Sequence, residues 1–141
     1  MKVETLSGLP SARPSQLEAA YYAFHRIVAL VCLVMGLVYW VRLLGFYPGL
    51  MWRFDLMPIH WQVASIVLAV LYPFASVGLW LVAPWGAVIW FLCAGTEVAM
   101  YGFMPEMFGH NYPLLGFHLL VAITYAGLRI ARYRRKRQAM L

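Results

Sequence analysis

The chain has 141 residues, 64% of them hydrophobic and 11% charged, with a formal net charge of +6. Its mean hydropathy is positive. That combination excludes an ordinary soluble domain, where about 25% of residues are charged, and predicts an all-α polytopic membrane protein built as a four-transmembrane-helix bundle.

The first segment, MKVETLSGLPSARPSQLEAA, is polar, carries Pro10 and Pro14, and lacks the apolar stretch of a cleavable signal. Residues 1–20 are therefore expected to be a disordered cytoplasmic leader, followed by a membrane domain over 21–131. The first span is predicted at about 22–44, with an apolar core from Ile27 to Val41 and the Gly45, Pro48 and Gly49 cluster closing it. The loop FYPGLMWRFDLMPIHW that follows is rich in aromatics and suits the headgroup zone. The run from Trp61 to Thr96 holds no charged residue. It is long enough for a second span at about 61–82 and the start of a third, since one crossing needs about 20 apolar residues. Pro73 should kink the second span, and the carbonyl it frees needs a partner from a neighbouring helix or side chain.

A short turn at Ala83 and Pro84 leads to the third span, about 85–104, which ends before Pro105. The loop PEMFGHNYP then precedes a fourth span at about 114–130. Residues 132–141 are expected to be a basic cytoplasmic tail. With Arg129, the cations of that tail mark the cytoplasmic side, and four crossings return the N-terminus to the same side. Arg132, Arg134, Arg135, Lys136 and Arg137 sit at a membrane exit, so contact with anionic lipid is a better account of them than a nucleic-acid patch.

Away from the cytoplasmic ends of the predicted spans, where His25, Arg26 and Arg129 sit, three further ionisable residues stand out: Arg42, Glu97 and His118. At a rise of about 1.5 Å per residue, Arg42 stands roughly 22–30 Å and Glu97 roughly 18 Å from the cytoplasmic face, and His118 roughly 7 Å below the outer one. All three fall in the outer half of the bilayer. Tyr39 and Tyr101, each about one turn away from Arg42 or Glu97, extend this into a polar intramembrane cluster. The structural reading is a clamp in which Arg42 pairs with Glu97 or snorkels to the headgroups; the functional one is a site for a quinone head, a lipid group or an ion.

Other chemistry finds little support. No HxxxH or CxxC spacing sets two ligands on one helix face, so neither a metal nor another cofactor is expected. Cys32 and Cys93 lie in apolar stretches and read as small hydrophobes. Ser65, Ser76 and Thr96 lack the strand-turn setting of a nucleophile, and no catalytic residue is singled out. Arg53, Asp55, His60, Glu106 and His110 mark an outer loop surface. Gly95 with Ala99, and Ala122 with Ala126, form small-residue faces that allow close helix contact within the bundle or between subunits.

At RFDLMPIHWQ (53–62) and EVAMYGFMPEMFG (97–109) the chain resembles an uncharacterised family of small four-helix inner-membrane proteins of alphaproteobacteria. That resemblance implies the architecture and a bacterial inner-membrane location with cytoplasmic termini, and names no activity. The expected role is an accessory, assembly or regulatory partner of a larger membrane complex. Its contacts are expected to be membrane lipids and other membrane proteins or further copies of itself, with no nucleic acid. The alternative is a quinone-, lipid- or ion-binding protein, possibly redox-active, using the intramembrane cluster.

Overall fold

The computed structural model describes residues 15–141. Helix α1 spans Gln16–Leu44, α2 Ile59–Trp80 and α3 Pro84–Val98, with α3 continuing as a π-helical turn over Ala99–Phe103; a short α4 at Pro105–Phe108 precedes α5 at Tyr112–Ala139. Among the described residues there is no strand. Four helices, Gln16–Leu44, Ile59–Trp80, Pro84–Phe103 and Tyr112–Ala139, are long and apolar enough to cross a membrane. These match the predicted spans in number and order. Two ends differ. Helix α1 starts at Gln16 instead of Tyr22, because Ser15 and Glu18 form the start signal of a helix and the Ser15 hydroxyl accepts the Glu18 N–H at 3.3 Å. The rest of the expected leader, 1–14, lies outside the described residues. Helix α5 runs on through the basic tail to Ala139, in keeping with the good helix propensity of Arg and Lys and the affinity of cations for a helix C-terminus.

Helix α2 packs between α1 and α3, and α5 closes the ring by touching α1 and α3. The α1–α2 contact is built around Pro73. A proline removes the N–H that would bond to the carbonyl four residues earlier, which here is Ala69. Trp40 of α1 donates its indole Nε1–H to that oxygen at 2.9 Å. One turn further along, the Ser76 hydroxyl donates back to the Ala29 carbonyl of α1 at 2.8 Å. Gly36 lets the proline in: a Cβ there would stand 3.1 Å from Pro73 Cδ.

The α2–α3 hairpin is tighter still. Ala83 N–H bonds to Gly78 O and Val82 N–H to Leu79 O, the paired C-terminal closure of a helix that needs a left-handed residue after its cap. That residue is Val82, at φ 54°, where a β-branched side chain is strained. Gly78 and Gly86 meet across the turn, and a Cβ on Gly86 would lie 2.3 Å from the Gly78 carbonyl carbon. Close backbone contact of this kind is the usual means of helix association in lipid, where apolar burial offers little drive.

The Pro73 arrangement makes a testable prediction. Trp40→Phe leaves a buried carbonyl unsatisfied and should destabilise the fold by about 1–3 kcal/mol. With Pro73→Ala present, the helix supplies its own N–H, so the same tryptophan change should cost clearly less. Unfolding of the four proteins in mixed micelles gives this coupling; equal costs in both backgrounds would remove Trp40 as the partner of Ala69.

Candidate functional site

Glu97 is fully buried on α3, with 0% of its surface exposed. Three side chains from three other helices converge on its two oxygens. Tyr39 of α1 donates its hydroxyl to Oε1 at 2.9 Å, Tyr72 of α2 donates to Oε2 at 2.6 Å, and His118 Nε2 of α5 lies 2.5 Å from Oε2. The two phenol rings stack at 6.0 Å between centroids. Each helix of the bundle thus contributes one member, and all four residues are buried.

Glu97 and His118 form a buried pair, and the His118 Nδ1 has no hydrogen-bond partner. The Trp90 ring stands 5.8 Å from the imidazole centroid on one side of this pair.

Arg42 is not part of the cluster, which corrects the expected Arg42–Glu97 pairing. Among the described residues, the ion pairs are Arg53–Asp55 and Glu97–His118. The Arg42 guanidinium lies among aromatic faces instead, 5.5 Å from the Tyr39 centroid, 5.1 Å from Trp52 and 5.5 Å from Trp61, and its Nε has no hydrogen-bond partner. Three ring faces satisfy a cation in a desolvated setting. Tyr101 is buried on the π-helical turn, its ring edge against Trp61 at 6.4 Å, and it makes no hydrogen bond to Glu97. Tyr72 is the member that sequence reasoning missed. Its signal was present: a phenol at mid-span, far from the interface where tyrosines gather, needs a buried partner.

The two quoted motifs form one unit at the end of the bundle opposite Gln16 and Ala139. Arg53 pairs with Asp55 at 2.7 Å, with both side chains about half exposed. Gln62 donates to the Phe54 and Met57 carbonyls, holding the short helical turn Phe54–Leu56 against the start of α2. His60 Nε2 lies 3.0 Å from the Met107 carbonyl, and Phe108 packs edge-on to both His60 and Trp61. Glu106 and His110 are exposed. Among the described residues, no group of three His, Cys, Asp or Glu side chains comes together, so His60, Glu106 and His110 do not converge. Of the residues expected to mark an outer loop surface, His60 straps the two loops together, while Arg53, Asp55, Glu106 and His110 stay exposed.

The shape of the polar cluster bears on its chemistry. Both Glu97 oxygens are taken, and the carboxylate has no exposed surface. An incoming group would have to displace a phenol or the imidazole. A matching family model covers residues 19–136, which include every residue of the cluster and both motifs. The chain belongs to the family of unknown function DUF6163. The expected membership of an uncharacterised family holds at that level. No curated protein and no solved structure gives a match.

If Glu97 holds four helices, its loss should be costly. Glu97→Ala is expected to destabilise by about 3–5 kcal/mol, as when one partner of a buried pair is removed, and Tyr72→Phe by about 1.5–3 kcal/mol, as for a hydrogen bond to a charged acceptor. In double-mutant cycles Glu97 should couple to His118, while Arg42→Gln should be additive with Glu97→Ala within about 0.5 kcal/mol. Strong Arg42–Glu97 coupling would restore the pairing that the geometry lacks.

Proposed function

We propose that this chain is a non-catalytic accessory subunit of a larger assembly in a bacterial inner membrane, with both termini in the cytoplasm. The observation that carries the reading is the poorly covered surface of α5. Half of the most apolar window of α2 is buried, against 11% for α5. Gly116, Leu120, Ile123, Gly127 and Ile130 are exposed on α5, and their spacing sets them on one helix face. A Cβ built on Gly116 or Gly127 meets nothing within 4 Å. Glycine weakens a helix interior by about 1 kcal/mol relative to alanine, and in membranes its compensation is close approach of another helix. Among the described residues, nothing makes that approach.

Gly95 on α3 is likewise open, with nothing within 4 Å, which supports contact between subunits at the small-residue face predicted there; on α5 the open face is that of Gly116 and Gly127, while Ala122 of the predicted Ala122–Ala126 face packs against the core. The closed state of the Glu97 cluster supports a scaffolding role over ligand chemistry. Its polar groups are used up in fixing α5, which leaves the outward face of that helix at a defined angle. The basic cluster supports the cytoplasmic placement of the termini through the positive-inside rule. The likeness of the loop motifs to alphaproteobacterial proteins supports the cellular setting.

Extraction of the tagged full-length protein from native membranes with a mild detergent tests this directly. The expected outcome is copurification of at least one other membrane protein in fixed stoichiometry. Gly127→Leu should reduce its recovery at least tenfold while leaving the fold intact, since a Cβ at this exposed position has nothing within 4 Å among the described residues. A lone monomer would defeat the proposal, and a complex made only of further copies of this chain would replace it with self-association.

A further inference from the structure

A second feature lies at the other end of the bundle, where the start of α1, the α2–α3 turn and the last turns of α5 meet. A cavity of about 480 Å³ opens there, within the range of about 300–1,000 Å³ usual for small-molecule sites. Arg129, Arg132 and Lys136 line it from α5. Their spacing of three and four residues sets all three on one helix face. Among the described residues no carboxylate lines the cavity. Glu18 borders an adjoining groove together with Arg132, Arg135 and Lys136. None of the three cations is in an ion pair among the described residues.

Two of these cations are held in place. Arg129 donates to the Tyr125 hydroxyl at 2.7 Å, and the Arg132 guanidinium lies 4.0 Å over the Tyr21 ring. The Arg132 Nε is buried and has no hydrogen-bond partner. His25 is buried at the wall with its Nδ1 2.9 Å from the Tyr21 carbonyl. Because a carbonyl only accepts, Nδ1 is the protonated nitrogen and Nε2 remains for a ligand hydroxyl. The opposite wall is the turn with the strained Val82, followed by the N-terminus of α3 at Ala83 and Pro84, which has no side-chain cap. The positive end of that helix dipole adds to the field of the three cations.

We propose that this cavity binds a phosphate ester, with Arg129, Arg132 and Lys136 holding the phosphate and His25 with the tyrosines forming the polar wall. Orientation of a membrane chain needs only basic charge near the exit, wherever it points. Three cations on one wall of an open cavity, with a buried guanidinium nitrogen left over, are more than that requirement. Arg134, Arg135 and Arg137 do not line this cavity and retain the general lipid-contact role expected of the tail.

Native mass spectrometry of the full chain in detergent, titrated with phosphatidylglycerol, phosphatidylcholine and glycerol 3-phosphate, tests the site. One phosphatidylglycerol should be retained at least tenfold more tightly than phosphatidylcholine. Combined Arg129→Gln, Arg132→Gln and Lys136→Gln should weaken it at least tenfold. The control set Arg134→Gln, Arg135→Gln and Arg137→Gln, which removes equal charge, should change it less than threefold. Competition by glycerol 3-phosphate assigns the site to a soluble ester, and its absence assigns it to a lipid headgroup. Should the first set fail to fold, Lys136→Glu, at an exposed position, should alone weaken binding several-fold. Equal loss in both sets, or no loss on Lys136→Glu, overturns the proposal.

Discussion

The bundle depends on one carboxylate placed where no water can serve it. Glu97 has two oxygens and takes Tyr39, Tyr72 and His118 onto them, one from each of the other long helices. In hydrocarbon the hydrophobic effect does not favour helix–helix contact over helix–lipid contact, so a shared polar centre has disproportionate weight. Its effect is largest on α5. With so little of that helix buried, its position rests on His118 and a few apolar contacts such as Val121 and Phe117. Without the histidine, α5 would have little to distinguish one rotation about its axis from another.

The same economy runs through the other polar groups. The carbonyl released by Pro73 goes to Trp40, the Ser76 hydroxyl to Ala29, and the Arg42 cation to three aromatic faces. Each solution joins two segments of the chain, because within the membrane every backbone and side-chain dipole must be satisfied by protein. Arg42 and Glu97 show how the partners are divided. A carboxylate already holding three donors has little to offer a guanidinium, and a guanidinium held by tryptophan and tyrosine rings keeps its charge without a counter-ion. Two clusters form where one ion pair was expected.

How much of this was legible follows from what each signal measures. Hydropathy reports length and apolarity, so the four spans and their order were readable, while the start of α1 was masked by the polar look of Ser15–Glu18, which is the polarity of a helix cap. Depth along a helix gives height and no azimuth. It brought Arg42, Glu97 and His118 to similar levels and could not tell which faced which, so His118 met Glu97 and Arg42 did not. Tyr72 escaped because a tyrosine counts as apolar in a hydropathy scan, although its hydroxyl is the shortest phenol contact to Glu97. The motif 53–62 reads locally as a loop surface. Its meaning is tertiary, since His60 and Gln62 act on carbonyls of other segments.

Satisfaction also sorts structure from function. At the end of the bundle that carries the two motifs, His60, Gln62 and the Arg53–Asp55 pair find partners within the chain, while Arg42 Nε and Trp61 Nε1 are buried among aromatic rings without one. The strained residue Val82, the partnerless Arg132 Nε and the unpaired basic face lie together at the opposite end. The open glycines of α5 lie along its outward face. Strain and unmet valence persist only where surrounding structure holds them or something outside the chain relieves them. A single orphaned atom occurs elsewhere in the bundle as well; it is the coincidence of strain, a partnerless nitrogen and an unpaired basic face in one cavity that marks a surface facing other molecules. Glu97, the most conspicuous residue in the sequence, is by that criterion the least available.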